Sequence, residues 1–210
     1  MTAIDAALIT RLFRWATDRT LWRDSVYTAN RPSSTSESYE LLVIGGPPGV
    51  GKSSVGQEVA YQLKTSRIGH AYIEGDCMDW CYPRRPDMFE KNVAALWANY
   101  AADGCRRLIY TNTASIGSAD RIAAAMGGQT RVFGVLLTCT TETARQRLTQ
   151  RETGKARDWH IERTDAVGKE FASIDLPDWA IRVPTDQRTT ADIAGEIVQY
   201  TGWLTAYDPS

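Results

Sequence analysis

The run Gly46-Pro47-Pro48-Gly49-Val50-Gly51-Lys52-Ser53 fits G-x-x-x-x-G-K-[ST] at every position. These residue types suit one task, the holding of a string of phosphates. Glycines let backbone N–H groups converge on phosphate oxygens. A helix opening directly behind the loop would add its first amides and its dipole. Lys52 supplies a positive charge to the outer phosphates, and the Ser53 hydroxyl is the expected magnesium ligand. With Ser54 beside it, the loop predicts binding of a nucleoside triphosphate, ATP in the working assignment, together with Mg2+. The loop reads phosphates, so it does not by itself separate ATP from GTP. By chance the bare pattern should arise in on the order of one chain in a hundred of this size. Its context narrows that, because an apolar run precedes it and a helical pattern follows.

Those flanks belong to a longer alternation. Short apolar runs at Leu41–Gly45, His70–Glu74, Arg107–Tyr110, Val132–Leu137 and, most weakly, Trp179–Val183 read as strands. Runs such as Leu-Leu-Val-Ile are apolar on both faces, as parallel strands covered by helices require. Between them lie helical patterns at Lys52–Leu63, Met88–Ala102, Ala119–Met126, Thr141–Arg151 and Thr190–Tyr200. Phe89, Val93, Leu96, Trp97 and Tyr100 give the second of these an apolar face, and Thr140-Thr141-Glu142-Thr143 is a capping signal for the fourth. Strand–helix alternation implies an α/β fold, a three-layer sandwich around a parallel sheet. Ahead of it, Ile4, Leu8, Leu12 and Trp15 mark an amphipathic helix over residues 3–20, either packed on the domain or forming a homodimer contact. A Ser-rich linker, Arg31 to Ser38, follows. The expected division is therefore an extension over 1–38 and a phosphate-binding domain over 39–210.

With loop and alternation in hand, the chain resembles the small P-loop kinases, which include nucleotide, shikimate, gluconate and adenylylsulfate kinases, chloramphenicol phosphotransferase and the zeta toxins. The resemblance spans roughly residues 40–199. It implies a five-stranded parallel sheet of order 2-3-1-4-5 and an ATP-dependent transfer of phosphate to a hydroxyl. Glu74-Gly75-Asp76 looks like the family's "GD" or "D-x-D" after the second strand. The implied role of Asp76 is to bind the acceptor hydroxyl and assist its deprotonation. Chemistry agrees, since ligands of open parallel sheets lie at the carboxyl ends of the strands. A carboxylate there orients a hydroxyl for in-line attack. The competing reading makes Asp76 a cap of the next helix. Glu74 either reaches magnesium through water or is structural. Arg147 and Arg151, four apart, match the family's lid "R-x-x-x-R". The resemblance sets Arg147 against the adenine, Arg151 at the transferred phosphate and Arg163 returning from the lid side. A solvated basic helix face is the alternative. Pro184-Thr185-Asp186 stands where the family contacts the base edge through backbone.

One departure is informative. The third strand ends Tyr110-Thr111-Asn112-Thr113, without the Walker B aspartate of motor and switch ATPases. The acceptor region is expected over Asp76–Asn92 with help from Asn112. Trp80 and Tyr82 suit a planar or partly apolar acceptor such as a nucleoside, antibiotic or sugar. Arg84 and Arg85 would grip an acceptor anion, or else decorate a solvated loop. Two other readings stand beside this one: a nucleotide-binding regulatory ATPase without an acceptor, and a zeta-toxin-like kinase of nucleotide sugars.

Bulk properties exclude some classes. The 210 residues carry a formal net charge of -1, which leaves no electrostatic footprint for nucleic acid or an acidic membrane. The four cysteines, Cys77, Cys81, Cys105 and Cys139, form no C-x-x-C pair. They read as reduced and mostly buried, with Cys77 and Cys81 sharing a helical face. No leader-like or membrane-spanning run is visible, so a cytoplasmic protein is expected.

Overall fold

Leu41, Leu42, Val43 and Ile44 are completely buried, as a strand covered on both faces must be. They form the middle of β1 (Ser38–Gly45), the central strand of the domain. The structure is a computed structural model, and it describes residues 37–83, 85–151, 168, 171 and 173–205, with Arg151 described by its backbone only. The expected N-terminal helix, most of the linker and any dimer contact through them lie outside the described residues. So do Arg84 and Arg163.

β1 leads through the glycine loop into α1 (Lys52–Thr65). Then come β2 (Ala71–Glu74), a 3-10 turn (Gly75–Cys77) and α2 (Met88–Ala102). β3 (Arg107–Thr111), a second 3-10 turn (Ile116–Ser118) and α3 (Ala119–Met126) follow. β4 (Gln129–Thr138), α4 (Thr141–Arg151), β5 (Ala180–Pro184) and α5 (Thr190–Thr201) complete the order. The five strands pair in parallel in the order β2-β3-β1-β4-β5. This is the 2-3-1-4-5 sheet implied by the resemblance.

Alternate strand residues supply two cores. Leu42, Ile44, Ile109, Phe133, Val135 and Leu137 meet Val55, Val59 and Leu63 of α1 and Ile193, Ile197 and Val198 of α5. On the other face Tyr39 packs edge-on against Trp97 of α2 at 5.0 Å, and Tyr110 against Phe89 at 6.3 Å. Each fully buried Leu or Ile contributes about 1.5–3 kcal/mol of transfer free energy. Together they hold the strand ends rigid at the site's edge.

Element boundaries moved where backbone pairing outruns apolarity. β1 starts at Ser38 rather than Leu41, and β4 at Gln129 rather than Val132, because Ser38 to Glu40 pair in register with Gln129 to Arg131. Buried Arg107 and half-buried Glu40 cross between β3 and β1 at 3.2 Å and tie down that polar end. β5 begins one residue late, since Trp179 gives its carbonyl to Gly134 N at 2.8 Å and to the Tyr200 hydroxyl at 2.7 Å. The cysteines are free but not buried. Cys77 is exposed and the other three are half-buried. Cys77 and Cys81 share no helix, because the chain after β2 makes a 3-10 turn and bends along the sheet's carboxyl edge. Among the described residues no helix is long and apolar enough to cross a membrane.

Candidate active site

The loop between β1 and α1 turns through glycines that no other residue replaces cheaply. Gly49 and Gly51 have φ of 78° and 102°, in the left-handed region. A Cβ on Gly49 would also meet Ala144 O at 2.8 Å, so α4 closes down on the loop. Gly51 offers no side chain to the first amides of α1, and the first turn contains no acidic residue. α2 and α3 also lack a side-chain cap, but the first turns of α2, α3, α4 and α5 each carry an acidic residue, Glu90, Asp120, Glu142 and Asp192. The positive end of α1 is thus left to be satisfied by an anion, the arrangement of a phosphate site.

Lys52 and Ser53 open this helix and are both half-buried, and Ser54 is exposed. The Lys52 ammonium folds back over the loop and donates to Pro47 O at 3.0 Å. The Ser53 hydroxyl donates to Glu74 Oε1, at the end of β2. A hydroxyl and a carboxylate side by side next to a phosphate site are hard oxygen donors of the kind Mg2+ takes. The described residues contain no cluster of three or more His, Cys, Asp or Glu side chains able to hold a metal.

The carboxyl edge on the α2 side carries the second constellation. Asp76 is exposed, and its Oδ1 accepts from Asn112 Nδ2 at 3.0 Å. Asn112 is itself set by its Oδ1, which accepts from Ala114 N at 3.0 Å. The turn after Asp76 is pinned to α2 by Asn92 Nδ2, which donates to Met78 O at 2.8 Å. Trp80 and Tyr82 are 83% and 101% exposed, so both leave their rings available to a ligand. Arg85 is exposed as well.

The third constellation joins α4, the loop and the end of β5. Arg147 donates to Val50 O at 3.1 Å, to Thr185 Oγ1 at 2.9 Å and to Thr185 O at 2.9 Å. Arg147 is therefore at the phosphate loop, and is not a solvated helix face. Its bonds use the guanidinium edge, which is the arrangement that leaves a planar face for stacking. The Asp186 carboxylate accepts from Thr140 N at 3.0 Å, Thr140 Oγ1 at 2.9 Å and Thr143 Oγ1 at 2.6 Å. Burial pushes Asp186 up, but the Thr143 and Thr140 bonds and the Arg147 charge outweigh it and hold the group below the ordinary Asp value. The side chain of Asp186 is thus engaged in seating α4. The carbonyl of Pro184 accepts from Arg188 at 3.2 Å. Cys139 lies within the field of Arg147, Asp186 and Lys52, and burial raises its thiol pKa.

Thr140 reads as part of a helix cap and Thr185 as part of a backbone contact to a base, but the bonds of their side chains to Asp186 and Arg147 carry no sequence motif. Tyr110 reads as a core aromatic, and only its position opposite Gly75 distinguishes it.

No family model and no curated protein matches the sequence. Solved structures do match in fold. A sugar kinase from Janibacter sp. HTCC2649 aligns over 78% of this chain and 94% of its own, with 16% identity and a TM-score of 0.52. The APS kinase CysC of Mycobacterium tuberculosis, in complex with AMPPNP and APS, aligns over 78% and 97%, with 20% identity and a TM-score of 0.51. YorR of Bacillus subtilis, in complex with phosphorylated GDP, aligns over 80% and 99%, with 17% identity and a TM-score of 0.51. The fold is thereby that of the small P-loop kinases.

Proposed function

We propose that this chain, folded as the small P-loop kinases are, transfers the γ-phosphoryl group of ATP to a hydroxyl of a small molecule. One observation carries the reading. The uncapped start of α1, with Lys52 and Ser53, shares a sheet edge with an exposed carboxylate, Asp76, already oriented by an amide. The first holds phosphates and the second holds a hydroxyl. The APS kinase structure, which holds AMPPNP and APS together, supports such a pairing.

In this mechanism the loop amides and Lys52 bind the β- and γ-phosphates, Lys52 exchanging Pro47 O for phosphate oxygen. Ser53, with Glu74 behind it, would hold Mg2+. The metal, when bound, neutralises charge on the phosphate oxygens. Asp76 accepts the hydroxyl proton as the acceptor oxygen attacks phosphorus in line. The bond to the β–γ bridging oxygen breaks, and ADP leaves with the electron pair. Arg151 is assigned to the charge that builds on the transferred group, and Arg163 to the nucleotide from the lid side. Arg147 and the Pro184–Asp186 segment line the base. Trp80 and Tyr82 offer faces to an acceptor ring, with Arg84, Arg85 and Asn112 on the acceptor side. Residues 39–210 are the working domain, and the protein acts in the cytoplasm.

The test is an ADP-release screen over nucleosides, sugars and antibiotics, with the phosphorylated product identified by mass. A hydroxyl compound that accelerates ADP release and gains one phosphoryl group is the expected result. Slow hydrolysis that no hydroxyl compound changes would instead favour a regulatory ATPase.

A further inference from the structure

Tyr110 is 1% exposed and sits in the sheet between Val43 of β1 and Ile73 of β2. Its phenol extends to the turn that follows β2. A Cβ built on Gly75 would lie 1.9 Å from the Tyr110 hydroxyl oxygen, 2.2 Å from Cζ and 2.8 Å from Cε1. The ring thus fills the volume a side chain at 75 would need, and the Gly75 backbone rests on it. Behind the ring stands Phe89, edge-on at 6.3 Å. Arg121 lies 4.8 Å over Phe89 and pairs with Glu90 at 2.6 Å, which fixes Phe89 in turn.

Gly75 immediately precedes Asp76. The other hold on that carboxylate is Asn112, two residues beyond Tyr110, whose backbone N donates to Ile44 O of β1 at 3.3 Å. The end of β3 therefore grips Asp76 twice, through its backbone and through its carboxylate, and β3 is the strand between Asp76 and the phosphate loop.

We propose that Tyr110 is a positioning residue for phosphotransfer: its ring sets the Gly75 backbone, and so the place of the Asp76 carboxylate beside Asn112. The inference rests on the reading of Asp76 as the carboxylate that receives the acceptor hydroxyl. Tyr110 touches neither nucleotide nor acceptor in this account. Burial, reinforced by the charges of Asp76 and Asp79, pushes its phenol well above the ordinary tyrosine value. It stays neutral across the working pH range and adds no charge beside Asp76.

The side-chain amide signals of Asn112 in 15N–1H spectra of the full chain report the Asn112–Asp76 bond with no acceptor present. Asp76→Ala supplies the unbonded reference. Tyr110→Leu removes the ring, and the Asn112 signals should move most of the way to that reference. Tyr110→Phe removes only the oxygen nearest Gly75 and should move them a small part of the way. Gly75→Ala pushes the same contact from the other side and should displace them too, which keeps the test intact if Tyr110→Leu does not fold. With an acceptor from the screen, Tyr110→Leu should lower kcat by on the order of tenfold to a hundredfold. KM for ATP should stay within about twofold, and Tyr110→Phe should restore most of kcat. Asn112 signals unmoved in every folded variant would overturn the positioning role. If the spectra behave as expected but no compound accepts phosphate, the phosphotransfer reading fails and the positioning stands.

Discussion

Asp186 holds the start of α4 by three short bonds, so its removal should be felt in stability before it is felt in chemistry. Asp186→Ala strips the acceptor from Thr140 N, Thr140 Oγ1 and Thr143 Oγ1 at 3.0, 2.9 and 2.6 Å. Losing a helix cap costs about 1 kcal/mol. Hydrogen bonds to a charged group are worth about 1.5–3 kcal/mol each when buried. These donors lie near the surface and can bond to water instead, so the sum should be about 2 kcal/mol. Asp186→Asn keeps an acceptor oxygen but loses the charge at a helix N-terminus, and should cost about 1 kcal/mol. Urea unfolding followed by circular dichroism reads this directly, with the Asp186→Ala midpoint about 1 M lower at pH 7. The pH dependence has a definite sign. The folded Asp186 titrates below its ordinary value. Its charge-dependent stabilisation is therefore complete above about pH 4. It is lost as pH falls through the lower folded value, so the gap between wild type and Asp186→Asn should close in acid. Equal midpoints for wild type and Asp186→Ala at pH 7, or a gap to Asp186→Asn that persists in acid, would refute the assigned role.

Three further outcomes follow from the phosphate side. Lys52→Ala should stay folded yet bind ATP on the order of 30- to 100-fold more weakly by calorimetry, since a charge-assisted contact is lost. Unchanged affinity would mean the loop holds no triphosphate. Ser53→Ala should shift the magnesium dependence of ATP binding to higher concentration, while binding of ATP without metal stays near wild type. Arg147→Ala, which removes its bonds to Val50 O and to both Thr185 oxygens, should lower Tm by about 4–8 °C in scanning calorimetry. A Tm within about 1 °C of wild type would show that those bonds contribute little.

The sheet was legible because its signals are local. Leu41–Ile44 and Val132–Leu137 are apolar on both faces, and the glycine loop announces a strand before it and a helix after it. Strand ends were less legible, because Ser38–Glu40 and Gln129–Arg131 pair through backbone while their side chains are polar. At the site, G-x-x-x-x-G-K-S marks its own position, and Arg147 came with it through the resemblance to the kinases' lid motif. The partners of those residues were not legible. Ser53 meets Glu74, Asp76 meets Asn112, and Arg147 meets Thr185 only because β2, β3 and β5 bring their carboxyl ends to one edge. Asp186 shows the limit most clearly. Its place after the last strand suggested a backbone contact with a base and gave no sign that its carboxylate would be taken by Thr140 and Thr143, which lie more than forty residues earlier in the chain. The cysteines misled for the same reason, since residue type favours burial while Cys77 falls on an exposed turn.

The central claim is that a hydroxyl held at Asp76 takes the γ-phosphoryl group from a nucleotide held at the glycine loop. The most direct measurement follows transfer from γ-labelled ATP to an acceptor pool, with products resolved by mass, for wild type and Asp76→Asn. Wild type should yield a phosphorylated acceptor. Asp76→Asn should yield it at least about a hundredfold more slowly, with ATP affinity unchanged. Label appearing only in inorganic phosphate, or equal transfer by wild type and Asp76→Asn, would contradict the account.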